Sequence, residues 1–350
     1  MNLKSILGAV FISAVAANPA LARPFPLCLY GVNNPSDVAI VKQAGFNCFQ
    51  SYQKDPEKLA ALARAAKKQG MQVVFYPDEI IGSSYEKKAQ NWPVLAWYLV
   101  DEPDVARWSR KRVTDKINQT RQVFTHHANA LVIGQGKTKI TYYDLPDNLM
   151  VDWYPVPHLP LTSFGDNVRW AKESQQGHDA AGNPLWGVVQ IFDWKEYKQH
   201  RADHERIGRF PTQEEIRFMS YDGILNGATG LFYFIFTSNG HPLPTVQPEW
   251  WSRVKAVSGE LSKLRPILEK GREIAPRVKI VAPLAAKTWA YKGYEYTLLL
   301  NRSAGPVEVP PVFLNKPYIL WDGSSKTTQM PAYGVWILKK RQGKICTMQN

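Results

Sequence analysis

Residues 27–76 read LCLYGVNNPSDVAIVKQAGFNCFQSYQKDPEKLAALARAAKKQGMQVVFY, and they contain the clearest indication of the fold. It contains three short apolar runs, which have the length and the β-branched and aromatic content of buried parallel strands. They are Leu27–Val32, Asn47–Tyr52 and Gln72–Tyr76. Helical segments separate them, and the second begins with Asp55 as its N-cap and Pro56 at its first position, and ends at Gly70. The pattern is therefore strand, helix, strand, helix, strand.

The same unit recurs until about residue 270. Five more runs of strand length follow, namely Leu95–Val100, Ala130–Gly134, Leu149–Tyr154, Trp186–Phe192 and Gly230–Phe236. Thr212 and Glu215 have the spacing of a capping box at the start of the last helix before the eighth run. Eight strand–helix units predict an α/β fold of the (β/α)₈ TIM-barrel type, whose usual size is about 250 residues. A doubly wound open sheet is the alternative, but it would place a glycine-rich turn where Asn33-Asn34-Pro35-Ser36 stands.

Beyond the last predicted barrel helix, the pattern changes to short strands separated by turns. Gly293, Gly305, Asp322-Gly323 and Gly334 mark the turns. We therefore predict a catalytic barrel over residues 23–272, a small all-β, sandwich-like domain over residues 273–340 and a basic tail over residues 341–350.

The N-terminus has the features of a secretory signal peptide. Lys4 precedes an apolar run from Ile6 to Ala17, and Ala20-Leu21-Ala22 is a small-x-small cleavage pattern. The run is short for a membrane span, although a retained anchor is the alternative. We expect cleavage after Ala22, a secreted or periplasmic protein, and no stable membrane insertion afterwards.

Composition narrows the class of partner. The net charge is +13, but the basic residues are scattered and no nucleic-acid-binding motif is present, so we expect no nucleic-acid partner. Aromatic residues make up 12% of the chain, and such side chains line sugar sites as well as cores. Cys28 and Cys48 lie at the starts of two neighbouring strands, where a disulfide and two buried free thiols are both open. We expect no metal, no cofactor and a monomer.

Barrel active sites lie at the carboxyl ends of the strands, so the polar residues that end each strand are the candidates. The predicted catalytic residues are Glu102, Asp152 and Asp101, with Glu102 as general acid. The predicted substrate-binding residues are Asn33, Tyr154, Gln190, Asp193, Trp194 and Tyr233. Carboxylates, amides and aromatic rings on one rim suit the cleavage of glycosidic bonds, in which one carboxylic acid protonates the leaving oxygen.

Three stretches carry a resemblance to a known group. Trp97-Tyr98-Leu99-Val100-Asp101-Glu102-Pro103-Asp104 resembles the fourth-strand motif of barrel glycoside hydrolases of clan A, the clan that includes β-galactosidases and many endoglycanases. Val151–Pro157 and Arg217–Tyr233 are similar to segments of uncharacterised relatives in the same group, and the C-terminal β domain also occurs there. The resemblance implies that Glu102 is the acid/base. It implies nothing specific about the sugar.

One departure from that group leaves the mechanism open. The resemblance implies a glutamate nucleophile at the end of strand seven, but Gln190 stands there, and an amide cannot act as that nucleophile. Three hypotheses follow. Glu102 and Asp152 act as acid and base in an inverting reaction, or Asp193 or Asp152 is a nucleophile, or the second carboxylate is lost and the protein only binds glycans. A carboxyl spacing of about 5 to 5.5 Å favours retention, and about 6.5 to 9.5 Å favours inversion.

Structural roles compete with the functional ones. Asp101 and Glu102 can complement a helix N-terminus, Asp152 can fix a loop, and Tyr154 and Tyr233 can simply pack. The function predicted is an exported glycoside hydrolase that acts on a polysaccharide or oligosaccharide. The alternative is an inactive carbohydrate-binding barrel of the cell envelope. A polysaccharide lyase is a third, weaker option, which only the positive charge supports.

Overall fold

The computed structural model describes residues 24–138, 142–178, 180–197 and 207–342, and its centre is a closed barrel of eight parallel strands in sequential order. The barrel strands are β1 (Leu27–Leu29), β2 (Cys48–Gln50), β3 (Gln72–Phe75), β4 (Val94–Tyr98), β5 (Asn129–Ile133), β6 (Asn148–Asp152), β7 (Leu185–Gln190) and β8 (Gly230–Phe234). β8 pairs with β1 and closes the ring, with Tyr233 opposite Leu29. The predicted barrel is confirmed, and the predicted signal peptide lies outside the described residues.

Helices cover the outside of the barrel. They are α1 (Val38–Gln43), α2 (Pro56–Lys68), α3 (Glu86–Ala89), α4 (Arg110–Val123), α5 (Ser163–Gln176), α6 (Gln213–Leu225), α7 (Leu243–Val246) and α8 (Pro248–Lys270). The predicted N-cap of α2 is present, since the Asp55 carboxylate accepts the backbone N–H groups of Glu57 and Lys58. The capping box of Thr212 and Glu215 at the start of α6 is present too.

One of the eight predicted strand–helix units differs from the expectation. Between β5 and β6, the described residues 134–138 and 142–147 form turns and no helix. Elsewhere the connections have at least one helical turn. The expectation of a full helix after every strand is therefore wrong for the described part of this connection, and the barrel closes without one.

The barrel interior holds its own apolar cluster, separate from the layer between strands and helices. It is built from alternate strand residues, among them Tyr30, Tyr98, Met150 and Phe232. Cys28 and Cys48 are in register on β1 and β2 and form a disulfide inside the barrel. Both residues are almost fully buried. Of the two alternatives open from sequence, the disulfide is the one formed.

The C-terminal region is all-β apart from one helical turn, α9 (Pro311–Leu314). Its main sheet has five antiparallel strands in the order β11 (Arg272–Ile274), β12 (Leu284–Tyr291), β13 (Tyr294–Asn301), β17 (Val335–Arg341), β15 (Ile319–Leu320). Two small ribbons complete the structure, β9 (Thr237–Ser238) with β10 (His241–Pro242), and β14 (Val307–Glu308) with β16 (Gln329–Met330). Arg341, which we predicted in the basic tail, belongs to β17.

Two arginines join this sheet to the barrel helices. Arg302, which follows β13, contacts Asp222 of α6 at 2.8 Å and Asp166 of α5 at 3.1 Å. Arg217 of α6 pairs with Glu260 of α8 and donates to the Val335 carbonyl of β17. Over the part of the chain that the structure describes, no helix is long and apolar enough to cross a membrane.

Candidate active site

A cavity of about 210 Å³ opens at the carboxyl ends of the barrel strands. Two predicted catalytic residues reach it from the segment after β4, and the third ends β6. Its lining consists of three carboxyl groups and a ring of aromatic side chains, namely Asp101, Glu102, Asp152, Tyr30, Tyr52, Tyr98, Tyr154, Phe192, Trp194, Tyr197 and Phe234. The position agrees with the general location of active sites in this fold.

Glu102 and Asp152 form a pair within this cavity. Their carboxyl groups share a side-chain hydrogen bond, and such a bond requires that one of them holds a proton. Asp152 is 8% exposed, and its Oδ2 accepts a hydrogen bond from the Tyr154 hydroxyl at 3.3 Å. Its Oδ1 is buried and accepts from no N–H or hydroxyl group. The Glu102 carboxyl is thus the close polar neighbour that Asp152 has besides Tyr154.

Burial raises the pKa of both members of the pair. Burial is the main cause that raises the pKa of Asp152 well above its usual range, and the negative charges of Glu102 and Asp101 add to it. The pKa of Glu102 is raised by burial and then by Asp101, while its hydrogen bond with Asp152 acts in the opposite direction. Because the pKa values of both carboxyl groups are raised, the two groups titrate as a pair that can hold one shared proton.

This contact is closer than either carboxyl spacing discussed above. A hydrogen bond joins oxygens about 2.5 to 3.0 Å apart. A water-activating inverting pair is about 6.5 to 9.5 Å apart and a retaining pair about 5 to 5.5 Å apart. The short distance therefore favours a pair that acts as one acid/base group. It does not suit an acid that works with a separate base or nucleophile.

Asp101, the third carboxyl, has a different environment. The Tyr98 hydroxyl donates to its Oδ1 at 2.7 Å, and the Tyr30 hydroxyl in turn lies 3.3 Å from that of Tyr98. Burial of the carboxyl among the rings raises the pKa of Asp101, and the Tyr98 hydrogen bond opposes the rise. The residue as a whole nevertheless keeps solvent contact at the mouth. It is therefore the carboxyl most open to an incoming ligand.

The backbone around Glu102 explains how its side chain reaches the cavity. Glu102 has a φ of 41°, a left-handed conformation that non-glycine residues seldom adopt and that is enriched at functional sites. The Asp104 carboxylate accepts the Gly134 N–H at 3.0 Å, which fixes this segment against the end of β5. A Cβ atom at Gly134 would lie 3.0 Å from Glu102 Oε1, so glycine leaves room for the carboxyl.

Two of the six predicted substrate-binding residues line the cavity, Tyr154 and Trp194. Gln190 does not. It is fully buried, its Oε1 accepts the Val156 N–H at 2.9 Å, and its Nε2 donates to the carbonyls of Val156 and Phe192. Its amide holds the loops after β6 and β7 together, which is the structural role that competed with the binding role.

The other three have structural contacts too. Asn33 accepts the Ser51 hydroxyl and the Tyr52 N–H, and so ties the loop after β1 to the end of β2. Asp193 caps the short helix Trp194–Glu196 by accepting the Lys195 N–H. Tyr233 is fully buried and shares a hydrogen bond with Ser220 of α6, because alternate residues of β8 face the helices. None of these three lines the cavity.

Sequence reasoning missed most of the aromatic ring. Tyr30, Tyr52, Tyr98, Phe192, Tyr197 and Phe234 line the cavity and were not among the predicted substrate-binding residues, although Tyr52 was recognised as a residue at the end of the second strand. A signal for three of them was present. Cys28 and Tyr30, Ala96 and Tyr98, and Phe232 and Phe234 alternate along their strands, and this period of two separates interior from exterior positions.

The chain matches no family model and no curated protein by sequence. Its structure is similar to solved glycoside hydrolases. A family 42 β-galactosidase from G. stearothermophilus aligns with a TM-score of 0.60 and 9% identity, over 91% of this chain and 98% of that one. A family 39 glycoside hydrolase from Bacteroides cellulosilyticus aligns with a TM-score of 0.58 and 12% identity, over 92% and 81% of the two chains.

The fold is that of glycoside hydrolase barrels. A family 5 glycoside hydrolase from Bacteroides vulgatus agrees, with a TM-score of 0.56 and 13% identity over 91% of this chain and 90% of that one. The barrel fold that the resemblance around Glu102 implied is thus confirmed. At these identities the likeness concerns architecture, and the chemistry has to be argued from the site.

Proposed function

We propose that this protein is an exported glycoside hydrolase that cleaves a polysaccharide or oligosaccharide, with Glu102 and Asp152 together supplying the proton to the leaving oxygen. The observation that carries the proposal is their hydrogen-bonded contact at the carboxyl ends of the strands. Two carboxyls that share a proton beside a cavity can act as a general acid, because burial and mutual repulsion raise their pKa values above the usual range of carboxyl groups.

The surroundings of the pair support a sugar as ligand. Aromatic rings and acidic groups together suit pyranoses, since a ring face stacks on C–H groups while carboxylates accept hydroxyl hydrogen bonds. Trp194, Tyr197 and Tyr52 supply rings at this cavity. We found no group of metal-ligating side chains in the described ranges, and acid/base chemistry of this kind requires none.

Export is supported by two independent features. The sequence begins with the pattern of a signal peptide, and Cys28 and Cys48 form a disulfide. Disulfides persist in the periplasm and outside the cell, whereas cytosolic thiols are kept reduced. We propose the periplasm or the medium as the site of action, and a monomer as the active form.

Reducing-sugar release from a panel of bacterial and plant glycans tests the proposal, with wild type compared against Glu102→Gln. We expect the variant to lose about 100-fold or more of the activity, the share that a positioned acid contributes. Glu79→Gln is the matched control, because it makes the same chemical change at a residue that does not line the cavity. Equal activity of Glu102→Gln and wild type would contradict the proposal.

The second candidate function is a glycan-binding barrel without catalysis. The observation in its favour is Gln190, which stands where a nucleophile was expected and is fully engaged with backbone groups. In that case no glycan in the panel is cleaved, while calorimetry detects binding of one of them to wild type and to Glu102→Gln alike.

A further inference from the structure

The proposed hydrolase lacks an enzyme nucleophile at the usual place. Three carboxyls line the cavity among the described residues, and two of them bond to each other. Gln190 is committed to the Val156 backbone. The next acidic residues along the chain do not line the cavity either, since Asp193 caps a short helix and Glu196 bonds to Ser238. Among the described residues, Asp101 is the one carboxyl at the cavity outside this pair, so an attacking group other than Asp101 has to come from water or from the substrate.

Attack by water between the paired carboxyls does not fit the geometry. An inverting pair leaves a gap of about 6.5 to 9.5 Å that holds the water. Glu102 and Asp152 are instead in hydrogen-bond contact, and Asp152 Oδ1 is buried with no donor. The pair can donate a proton and later accept one at the same position. It therefore acts as a single acid/base group.

Asp101 can supply a hydrogen-bond acceptor and a negative charge for the substrate. It lies beside Glu102 in the chain and lines the same cavity, and the Tyr98 hydroxyl is its one side-chain donor in the described structure. Its second oxygen is thus available to accept an N–H group from a ligand. Among the described residues, no cation affects the pKa of Asp101, Glu102 or Asp152. A positive charge that develops beside these carboxyl groups is therefore stabilised by them.

From these three observations we propose that the substrates are glycosides of 2-acetamido-2-deoxyhexoses, and that the substrate's own acetamido oxygen is the nucleophile. This inference rests on the proposed hydrolase function. Asp101 accepts the acetamido N–H and so turns the carbonyl oxygen towards the anomeric carbon. The rings of Phe192, Trp194 and Phe234 provide an apolar wall for the acetamido methyl group. Participation of a substrate group is a known exception to the two-carboxylate scheme.

In the first step, the acetamido oxygen forms a bond to the anomeric carbon while the bond from that carbon to the leaving oxygen breaks. The proton of the Glu102–Asp152 pair passes to the leaving oxygen. The product is a bicyclic oxazolinium ion, whose positive charge faces the Asp101 carboxylate.

In the second step, water attacks the anomeric carbon and returns one proton to the Glu102–Asp152 pair. The carbon–oxygen bond to the acetamido group breaks, and the amide is restored. Two displacements at one carbon give net retention of configuration. One acid/base unit therefore serves both steps, as the closeness of the two carboxyls requires.

The test compares aryl 2-acetamido-2-deoxyhexosides, of both anomeric configurations, with the matching aryl hexosides that carry a 2-hydroxyl. We expect the acetamido substrates to be cleaved about 100-fold faster or more, because an intramolecular nucleophile has a high effective concentration. Substitution of the acetyl group by mono-, di- and trifluoroacetyl groups should lower kcat stepwise, since fluorine withdraws electrons from the attacking oxygen. A thiazoline analogue of the bicyclic intermediate should inhibit competitively.

Asp101→Asn is the informative variant. On acetamido substrates we expect kcat to fall by about 100-fold and the dependence on fluorination to change, because the amide is no longer held by a carboxylate. Glu79→Gln again serves as control, and circular dichroism checks that both variants fold.

The outcomes separate the inference from the function on which it rests. Hydrolysis of plain hexosides at the same rate, an absence of any fluorine effect, or an inverted product would overturn the substrate-assisted mechanism and leave the hydrolase function standing. A wild type that cleaves no glycoside of either series or of the glycan panel would overturn both.

Discussion

Two clusters of carboxyl groups in the described part of the chain differ in what balances their charge. At the carboxyl ends of the barrel strands, Asp101, Glu102 and Asp152 lie together with tyrosine hydroxyls, and no described residue that lines the cavity is a cation. At the contact between barrel and β domain, Asp166 and Asp222 lie together with Arg302. The first cluster holds a proton in place of a cation, and the second holds an arginine.

This difference separates a cluster that is arranged for chemistry from one that is arranged for stability. Asp222 is fully buried, and its pKa is raised to about 6 by burial, with Arg302 acting in the opposite direction. Arg302 stabilises the ionised form of Asp222 and also donates a hydrogen bond to the Thr162 carbonyl. Asp152 has no cationic partner among the residues that the structure describes, so its carboxyl can exchange a proton.

Removal of the arginine is expected to have the largest effect. Arg302→Met should lower the free energy of unfolding by about 3 to 5 kcal/mol, because it leaves a buried carboxylate without its partner. Urea unfolding measures this loss. The double variant Arg302→Met/Asp222→Asn is the control and should recover most of the stability, since it also removes the charge. Equal stability of the single and double variants would show that the loss comes from packing alone.

The pH dependence of this effect has a defined sign. The folded pKa of Asp222, about 6, lies above its unfolded value of 3.8. Its contribution to stability is therefore fully present below 3.8 and is lost as pH rises through about 6. Without Arg302 the folded pKa rises further, so Arg302→Met should be less destabilising at pH 5 than at pH 8.

The same substitution in the two clusters should act in opposite directions. Asp152→Asn should lower kcat/KM on the cleaved glycan by about 100-fold or more, because the pair loses one of the two carboxyl groups that share the proton. It should also raise the free energy of unfolding by about 0.5 to 2 kcal/mol, since a carboxyl without a cation is replaced by a neutral amide.

Asp222→Asn is the matched control for Asp152→Asn. It should leave the activity per folded molecule unchanged and lower stability, because Arg302 loses its main partner. Activity assays and urea unfolding on both variants give four values. A loss of stability in Asp152→Asn similar to that in Asp222→Asn would remove the distinction between the two clusters.

The fold was predictable because most strand–helix units of the barrel have local sequence signals. Asp55 with Pro56 starts α2, Thr212 with Glu215 starts α6, and both caps form as expected. Parallel strands that are buried on both sides are apolar throughout, so eight such runs suffice to identify the barrel. The connection between β5 and β6 has no equivalent signal, and there the described residues depart from the repeated unit.

The site was predictable only in part. The position of Asp101, Glu102 and Asp152 followed from their place at strand ends. The roles of Gln190 and Tyr233 depend on which way a side chain points at a barrel rim. Gln190 turns to the Val156 backbone and Tyr233 to Ser220, and one residue of register decides such directions. The contact between Glu102 and Asp152 joins residues that are far apart in the chain. Such a contact cannot be predicted from a single sequence.

A smaller effect is expected from a methyl group next to Glu102. Gly134→Ala would place a Cβ 3.0 Å from Glu102 Oε1 and 2.8 Å from a methyl of Val105. The exposed Val105 side chain can move, so the carboxyl shift is the main consequence. We expect kcat/KM to fall about tenfold, since small displacements of catalytic groups are costly.

The control for Gly134→Ala is Gly259→Ala in α8, where nothing lies within 4 Å of an added Cβ. This control should keep full activity and gain about 0.5 to 1 kcal/mol of stability, because alanine favours the helix. An unchanged kcat/KM in Gly134→Ala would show that the position of the Glu102 carboxyl is not critical.

The smallest effect should come from the hydroxyl that supports Asp101. Tyr98→Phe removes the donor to Asp101 Oδ1 at 2.7 Å and also the partner of the Tyr30 hydroxyl. The hydrogen bond lowers the pKa of Asp101, so its loss should raise that pKa and move the acidic limb of the pH–rate profile to higher pH. Because Asp101 is exposed to solvent, water replaces part of the interaction, and we expect kcat/KM at pH values above the acidic limb to fall only about threefold.

Tyr143→Phe is a suitable control, as its hydroxyl accepts the Thr138 N–H away from the cavity. A pH profile of Tyr98→Phe that superimposes on that of wild type would mean that Asp101 does not titrate in catalysis, and the mouth cluster would then reduce to Glu102 and Asp152.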